Sequence, residues 1–255
     1  MTRFSTRVNL LLMTDGLTAR QTQILKSLID EYIETAEPVG SEALEKKYNL
    51  GVSPATIRNE MVALTSSKFL RQPHTSAGRV PTPKAMKFYI EQLMEEKQMS
   101  LSEEVKAKEE VWDARRDLDK LLEEATHALA ERTRNLAIAA LSGGRVWHAG
   151  YANVFLNPEF ADLEVCANLF SFLEEVNRLQ ELFFERVRGQ SPVEVIFGEE
   201  LDWPGLSPIG VVATRFNVKG KSGALGVIGP SRLSYPTVIP VLRYFGNLIQ
   251  EIAEE

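Results

Sequence analysis

The sequence predicts an α+β protein: an N-terminal winged helix-turn-helix domain, a long helical connector, and a C-terminal domain of sheet and helices. Three observations carry this. Three helix patterns separated by glycine-containing breaks fill residues 17–66. A short basic hairpin pattern with Gly78 at its tip follows them. Beyond a stretch free of glycine and proline, β-branched runs alternate with amphipathic patterns before a last helix. The expected parts are a tail over 1–16, the winged domain over 17–98, a connector or dimerisation helix over 99–141, and a regulatory or dimerisation domain over 142–255.

Residues 1–16 show no period, and the apolar run Leu10–Met13 is too short for a signal-peptide core or a membrane span. Thr18 caps a helix whose Ile24, Leu25, Leu28, Ile29, Tyr32 and Ile33 form one apolar stripe. Glu37-Pro38-Val39-Gly40 breaks it, Ser41 begins a short helix through Tyr48, and Asn49-Leu50-Gly51-Val52 is the turn. Ser53 then caps a third helix with Pro54 at its first position, where the missing amide hydrogen costs nothing. Ile57, Met61 and Leu64 share its inward face. The other face carries Ala55, Asn59, Val62 and Ser66, flanked by Thr56 and Arg58. An ordinary solvated face is rich in Glu, Lys and Gln. A slim face offering donors, acceptors and methyl groups suits a major groove.

Phe69–Gln72 reads as a strand, 73–78 as a wing, Arg79–Pro81 as the return strand, and Pro83 as the start of a helix carrying Phe88, Tyr89, Leu93 and Met94. No acidic residue lies between Met61 and Ile90, whereas Lys68, Arg71, Arg79, Lys84 and Lys87 are all basic. Lys68, Arg71 and Lys84 are candidate phosphate contacts, and Thr56, Arg58 and Asn59 candidate base contacts, beside Ser53 and Ala55. Gln72, His74, Thr75 and Ser76 add uncharged donors, Arg79 is the expected deepest wing contact, and Gly78 is expected to let the tip turn. The net charge of −6 conceals a division: residues 1–90 carry 12 Lys and Arg against 8 Asp and Glu, and the remainder 17 against 27. The acidic part is not the part that faces a polyanion.

Residues 100–141 have helical composition, with Val111, Leu118, Leu122, Ala125, Leu129 and Leu136 near a seven-residue spacing. That stripe suits either a seam between two helices or the sheet of its own chain, and Trp112 favours a partner surface. Ser142-Gly143-Gly144 marks a boundary but lacks the lysine and serine of a phosphate loop. Strands are expected over Val146–Phe155, Val193–Phe197, Ile209–Phe216 and Ala224–Ile228, a long helix over Ala161–Arg188, and a final helix over Pro236–Glu255. Cys166 stands alone, so no internal disulfide forms, and His74, His127 and His148 are too dispersed for a zinc site. A reducing cytoplasm fits, with no cofactor or metal expected. Glu199, Glu200 and Asp202 beside Trp203, and Ser231 with Arg232, are candidates for a ligand or catalytic site. Neither group has a base or nucleophile beside it, and both have plain readings, an exposed loop and an arginine paired with an acid.

Pro38-Val39-Gly40-Ser41, the run Lys47–Met61 and the run Gln72–Thr82 resemble the heat-inducible transcription repressor family HrcA at consecutive positions. Asn157-Pro158-Glu159-Phe160, Phe197-Gly198-Glu199-Glu200 and Gly226–Tyr235 resemble segments of that family's GAF-like domain. The resemblance implies a homodimeric repressor of chaperone operons, bound to double-stranded DNA at an inverted-repeat operator, and coupled to chaperonin supply. The chain is shorter than is usual for the family, and the compact join from Leu136 to Tyr151 is where much of the regulatory domain's first half is expected to be missing. Lys84-Ala85-Met86-Lys87 departs from the glycine and aromatic usual after the wing. A small-molecule-sensing winged-helix regulator, with its ligand in the C-terminal domain, is the competing reading.

Overall fold

The computed structural model describes residues 16–189, 191–203 and 205–254, which fall into two compact units, one up to Tyr89 and one from Ile90 onward. The expected tail lies outside the described residues, except for Gly16.

In the first unit, helix α1 (Ala19–Thr35) begins at a reciprocal cap: Thr18 Oγ1 accepts from the Gln21 amide and Gln21 Oε1 accepts from the Thr18 amide. Ile24, Leu25, Leu28 and Ile29 are buried along it, as their spacing predicts. Helix α2 (Ser41–Lys47) and helix α3 (Pro54–Ser66) follow, and the hairpin β1 (Leu70–Arg71) and β2 (Val80–Pro81) pairs Leu70 with Pro81 and Arg71 with Val80. Helix α4 (Pro83–Phe88) runs on as a π-helical turn, Tyr89–Leu93. Tyr89 Oη donates to Asp30 Oδ1 at 2.6 Å, so the end of α4 is held to α1. Burial, with this carboxylate alongside, raises the phenol pKa well above its ordinary value.

The second unit is built on one antiparallel sheet in the order β4-β3-β7-β6-β5. Its strands are β3 (Leu136–Leu141), β4 (Arg145–Ala149), β5 (Glu194–Phe197), β6 (Ile209–Val218) and β7 (Lys221–Pro230). Helices α5 (Leu101–Trp112), α6 (Leu118–Thr133), α7 (Tyr151–Val154), α8 (Leu163–Glu174), α9 (Val176–Glu181) and α10 (Tyr235–Glu254) cover it. Leu136, Ile138 and Ala140 of β3 share a core with Leu169, Phe172 and Leu179, which puts α8 and α9 on one face. Helix α6 packs on β3 and β4, and α10 on β6 and β7, across the other. Helices on both faces of a five-stranded antiparallel sheet make this unit GAF-like.

Three sequence expectations are corrected here. The connector does not stay helical to 141: it is two helices broken at Asp113–Asp117, and its last six residues form β3. Every residue of β3 is buried, and burial on both faces overrides the helical preference of Leu-Ala-Ile-Ala-Ala-Leu. The segment Leu136–Tyr151 forms a hairpin, with Ala137 opposite Ala149 and Leu141 opposite Arg145. Strand β4 ends at Ala149 because Gly150, at φ 84°, turns the chain into α7. The long helix over Ala161–Arg188 is instead α8, a break at Glu175 (φ −88°, ψ 86°), α9, and a π-helical turn over Leu182–Arg186.

The leucine stripe lies against its own chain: Val111, Leu122, Ala125, Leu129 and Leu136 are all buried. Trp112 is half-buried between Lys108 and Arg115, whose charges lie 5.3 and 4.9 Å from its ring. Among the described residues no helix is long and apolar enough to cross a membrane.

Candidate nucleic-acid interface

The site is built on α3. Ser53 Oγ accepts from the Thr56 amide at 3.2 Å and lies 3.0 Å from Thr56 Oγ1, so these two hydroxyls fix the start of the helix. Ile57, Met61 and Leu64 are buried and fix its rotation. Ala55, Arg58, Asn59, Val62 and Ser66 are consequently exposed. Glu60 is the only acid on α3. It accepts from Gln21 Nε2 at 3.1 Å and lies 3.9 Å from Arg20, so its charge is held on the α1 side and not on the open face.

The wing is closed from inside. Gln72 Nε2 donates to the carbonyls of Thr75 and Ala77 at 2.9 and 3.0 Å, and the Ala77 amide donates to the His74 carbonyl at 2.8 Å. His74, Thr75 and Ser76 stand exposed at the tip. At the wing's base, Val39 and Arg79 exchange two backbone hydrogen bonds of 2.9 Å. Gly78 does not serve the turn expected of it, because its φ is not positive. A Cβ there would run into the Val39 carbonyl and come 2.8 Å from the Pro38 carbonyl carbon, so the residue is small to let the two segments touch.

Arg79 is half-buried; its Nε donates to Thr65 Oγ1 of α3 at 3.2 Å. It is a brace between wing and helix as well as a cation. Arg58, Gln72, Thr75, Ser76 and Arg79 line one cleft of about 360 Å³ between α3 and the wing. The two arginines thus line the same cleft, and no acidic residue among the described ones lines it. Lys68 and Arg71 are exposed on either side of Leu70, Lys68 in a left-handed conformation whose carbonyl accepts from Thr82 Oγ1 at 2.8 Å. Lys84 is exposed with Nζ 4.1 Å above the Phe69 ring, which holds the ammonium close to the hairpin.

The structure brings Arg58, Thr75, Ser76 and Arg79 to one cleft, and keeps Ala55 and Asn59 on the adjoining open face. It assigns Gln72, Ser53 and Thr56 work within the domain. Thr65 and Val39 were missed, because the residue they bind, Arg79, is 14 and 40 positions away. The second candidate group is occupied structurally: Arg232 binds Glu159 through Nε at 2.6 Å and Nη2 at 3.0 Å. Glu200 accepts from the Phe197 amide at 3.1 Å.

The family model described as "Winged helix-turn-helix transcription repressor, HrcA DNA-binding" matches residues 16–95, and that described as "HrcA protein C terminal domain" matches residues 60–239. The heat-inducible transcription repressor HrcA of Geobacter sulfurreducens is 27% identical over 342 aligned positions, covering 95% of this chain and 99% of its own. Those 342 positions exceed the chain's 255 residues by 87, so at least that many have no counterpart here. The repressor of the same name from Acetivibrio thermocellus is 43% identical over 125 residues, 49% of this chain and 36% of its own. A solved structure titled "Crystal structure of a hypothetical protein at 2.2 A resolution" superposes with a TM-score of 0.72 at 21% identity, covering 93% of this chain and 98% of that one, and shares the fold. With both of its parts matched by that family's models, the chain belongs to the HrcA family of heat-inducible transcription repressors.

Proposed function

We propose that two copies of this chain bind an inverted-repeat operator in duplex DNA and repress heat-shock and chaperone genes, presenting their α3 helices about one DNA turn apart or a multiple of it. The observation that carries the reading is the shared cleft. Arg58 and Arg79 line it together, beside an open helical face from which the one acidic side chain has been drawn away. Arg58 and Asn59 read bases, to which guanine and adenine are the natural partners, with Ala55 alongside. Lys68, Arg71 and Lys84 hold phosphates, His74, Thr75 and Ser76 reach the backbone from the wing, and Arg79 sets the distance between wing and helix. Ser53, Thr56 and Gln72 support these contacts. The protein works in the cytoplasm, as a regulator and not an enzyme, with chaperonin supply as the signal that the family resemblance implies.

Selection of bound sequences from random duplex DNA tests the proposal. A palindromic consensus is the expected product. No enrichment, or one undivided asymmetric site, refutes it.

A further inference from the structure

One side chain on the open face of α3 has no work within the fold. Val62 is 49% exposed, and among the described residues up to Tyr89 it is the one large apolar side chain so open to solvent. It lies outside the stripe of Ile57, Met61 and Leu64 that packs inward. A β-branched residue forms helix less well than alanine, and at a half-open position burial returns little of that cost. The domain's own stability therefore gains little from valine here.

The surroundings of Val62 select what it meets. Arg58 and Asn59, one turn before it, and Ser66, one turn after, are exposed and polar. The Ser66 hydroxyl donates to the Val62 carbonyl at 3.1 Å, so the end of the helix is closed on itself. Glu60 is held on the α1 side, and no acidic residue lies between Met61 and Ile90. A lone valine among polar neighbours is far less than the apolar area by which one protein holds another. It matches a single methyl group. In the major groove that group is the C5-methyl of thymine, the one apolar feature among donors and acceptors. Valine in a helix keeps essentially one χ1 rotamer, so its methyl groups are set before contact and little side-chain freedom is lost on binding.

We infer that Val62 reads a thymine by packing its methyl groups on the C5-methyl, and is a specificity-determining residue beside Arg58 and Asn59. Val62 lies about 4.5 Å beyond Asn59 along the axis, at about 1.5 Å per residue. Bases repeat about every 3.4 Å, so with α3 along the groove the thymine falls about one to two steps from the base that Asn59 meets. The inference rests on the proposed reading of DNA by α3. It adds a discrimination that hydrogen bonds cannot supply, thymine against the same base without its methyl group.

The test is a gel-shift titration of the full chain on the palindromic duplex recovered by selection, each thymine in turn being replaced in both half-sites by deoxyuridine, which lacks only the methyl group. At one thymine the replacement is expected to weaken wild-type binding about fourfold per half-site, the worth of one buried methyl group, and about fifteenfold in all. Val62→Ala is expected to bind the unmodified duplex more weakly by a like factor, to lose the response at that thymine, and to keep the wild-type response at every other. Far-UV circular dichroism checks the fold of the variant, which alanine, the better helix former, leaves intact. A wild type indifferent to deoxyuridine at every thymine overturns the inference whatever the variant does. So does a Val62→Ala protein that still responds wherever the wild type responds, since its valine then serves another contact. In both cases a selected palindrome, with preference among sequences lost in Arg58→Ala, leaves the DNA reading standing. Enrichment of no sequence overturns both.

Discussion

Replacing Gly78 by alanine isolates the contact on which the wing depends. The backbone at residue 78 is open to any residue, so the penalty is steric alone. The new methyl group would meet carbonyl atoms of Pro38 and Val39, neither of which can yield as a side-chain tip would. Relief requires the wing to lift, stretching the two 2.9 Å bonds between Val39 and Arg79. Overpacking costs about 1–3 kcal/mol and each weakened hydrogen bond about 0.5–1.5 kcal/mol, so a loss of about 3 kcal/mol is expected. In a unit of this size that lowers the midpoint by about 12–24 °C. All three tryptophans, Trp112, Trp147 and Trp203, lie in the second unit. Far-UV circular dichroism should therefore show an earlier transition while tryptophan fluorescence keeps its own midpoint. Gly40→Ala is the control, since nothing lies within 4 Å of a Cβ there, and it should cost under about 1 kcal/mol. A Gly78→Ala protein that unfolds within about 0.5 kcal/mol of wild type and keeps its DNA affinity would refute the reasoning.

Arg58→Ala should cost about 1–3 kcal/mol on the preferred operator and flatten the preference among sequences, whereas Lys84→Ala should weaken all duplexes alike and reduce the salt slope by about one, as gel-shift titrations at several salt concentrations would measure. Tyr89→Phe removes the donor to Asp30 and should destabilise the first unit by about 1.5 kcal/mol. The phenol's pKa is raised in the folded state, so its contribution is complete below the ordinary value of 10.0 and is lost only as the pH rises through the folded value. The Tyr89→Phe deficit in chemical denaturation should therefore be flat from pH 6 to 9. Glu96 binds Arg243 through two bonds of 2.8 and 2.7 Å, and that guanidinium lowers its carboxyl pKa. Both side chains are partly exposed, so Glu96→Gln should cost under about 1 kcal/mol at pH 7. Because the folded pKa lies below the ordinary 4.5, that difference should persist down to the ordinary value and vanish as the pH falls through the folded one; a difference unchanged at pH 2.5 would contradict the pairing.

What could be read from the sequence was local. Ser53-Pro54 and the Ile57, Met61, Leu64 spacing fix both the start and the rotation of α3 from within fourteen residues, and hence which side chains stand outward. The β-branched runs of β6 and β7 were equally plain. What could not be read depended on distant partners. Leu136–Leu141 has the composition of a helix and becomes a strand because Leu136 pairs with Ile228 and Leu141 with Gly223. The break at Glu175 carries no glycine or proline; its conformation is set where α8 and α9 each turn their apolar residues onto the sheet. Gly78 was correctly singled out for the wrong reason, since its neighbour is Val39, far back in the chain. Arg79 lines one cleft with Arg58, but its bond to Thr65 shows in no local pattern.

The amide of Gln72, wrapped around the carbonyls of Thr75 and Ala77, bears on the thermodynamics of operator capture. Flexible recognition arms surrender conformational entropy on meeting a duplex and show it as a large heat-capacity change. This flap is already shaped before any encounter, so little of the binding free energy is diverted to ordering it. Calorimetry should record a small heat-capacity change, with affinity governed by displaced counterions rather than by folding.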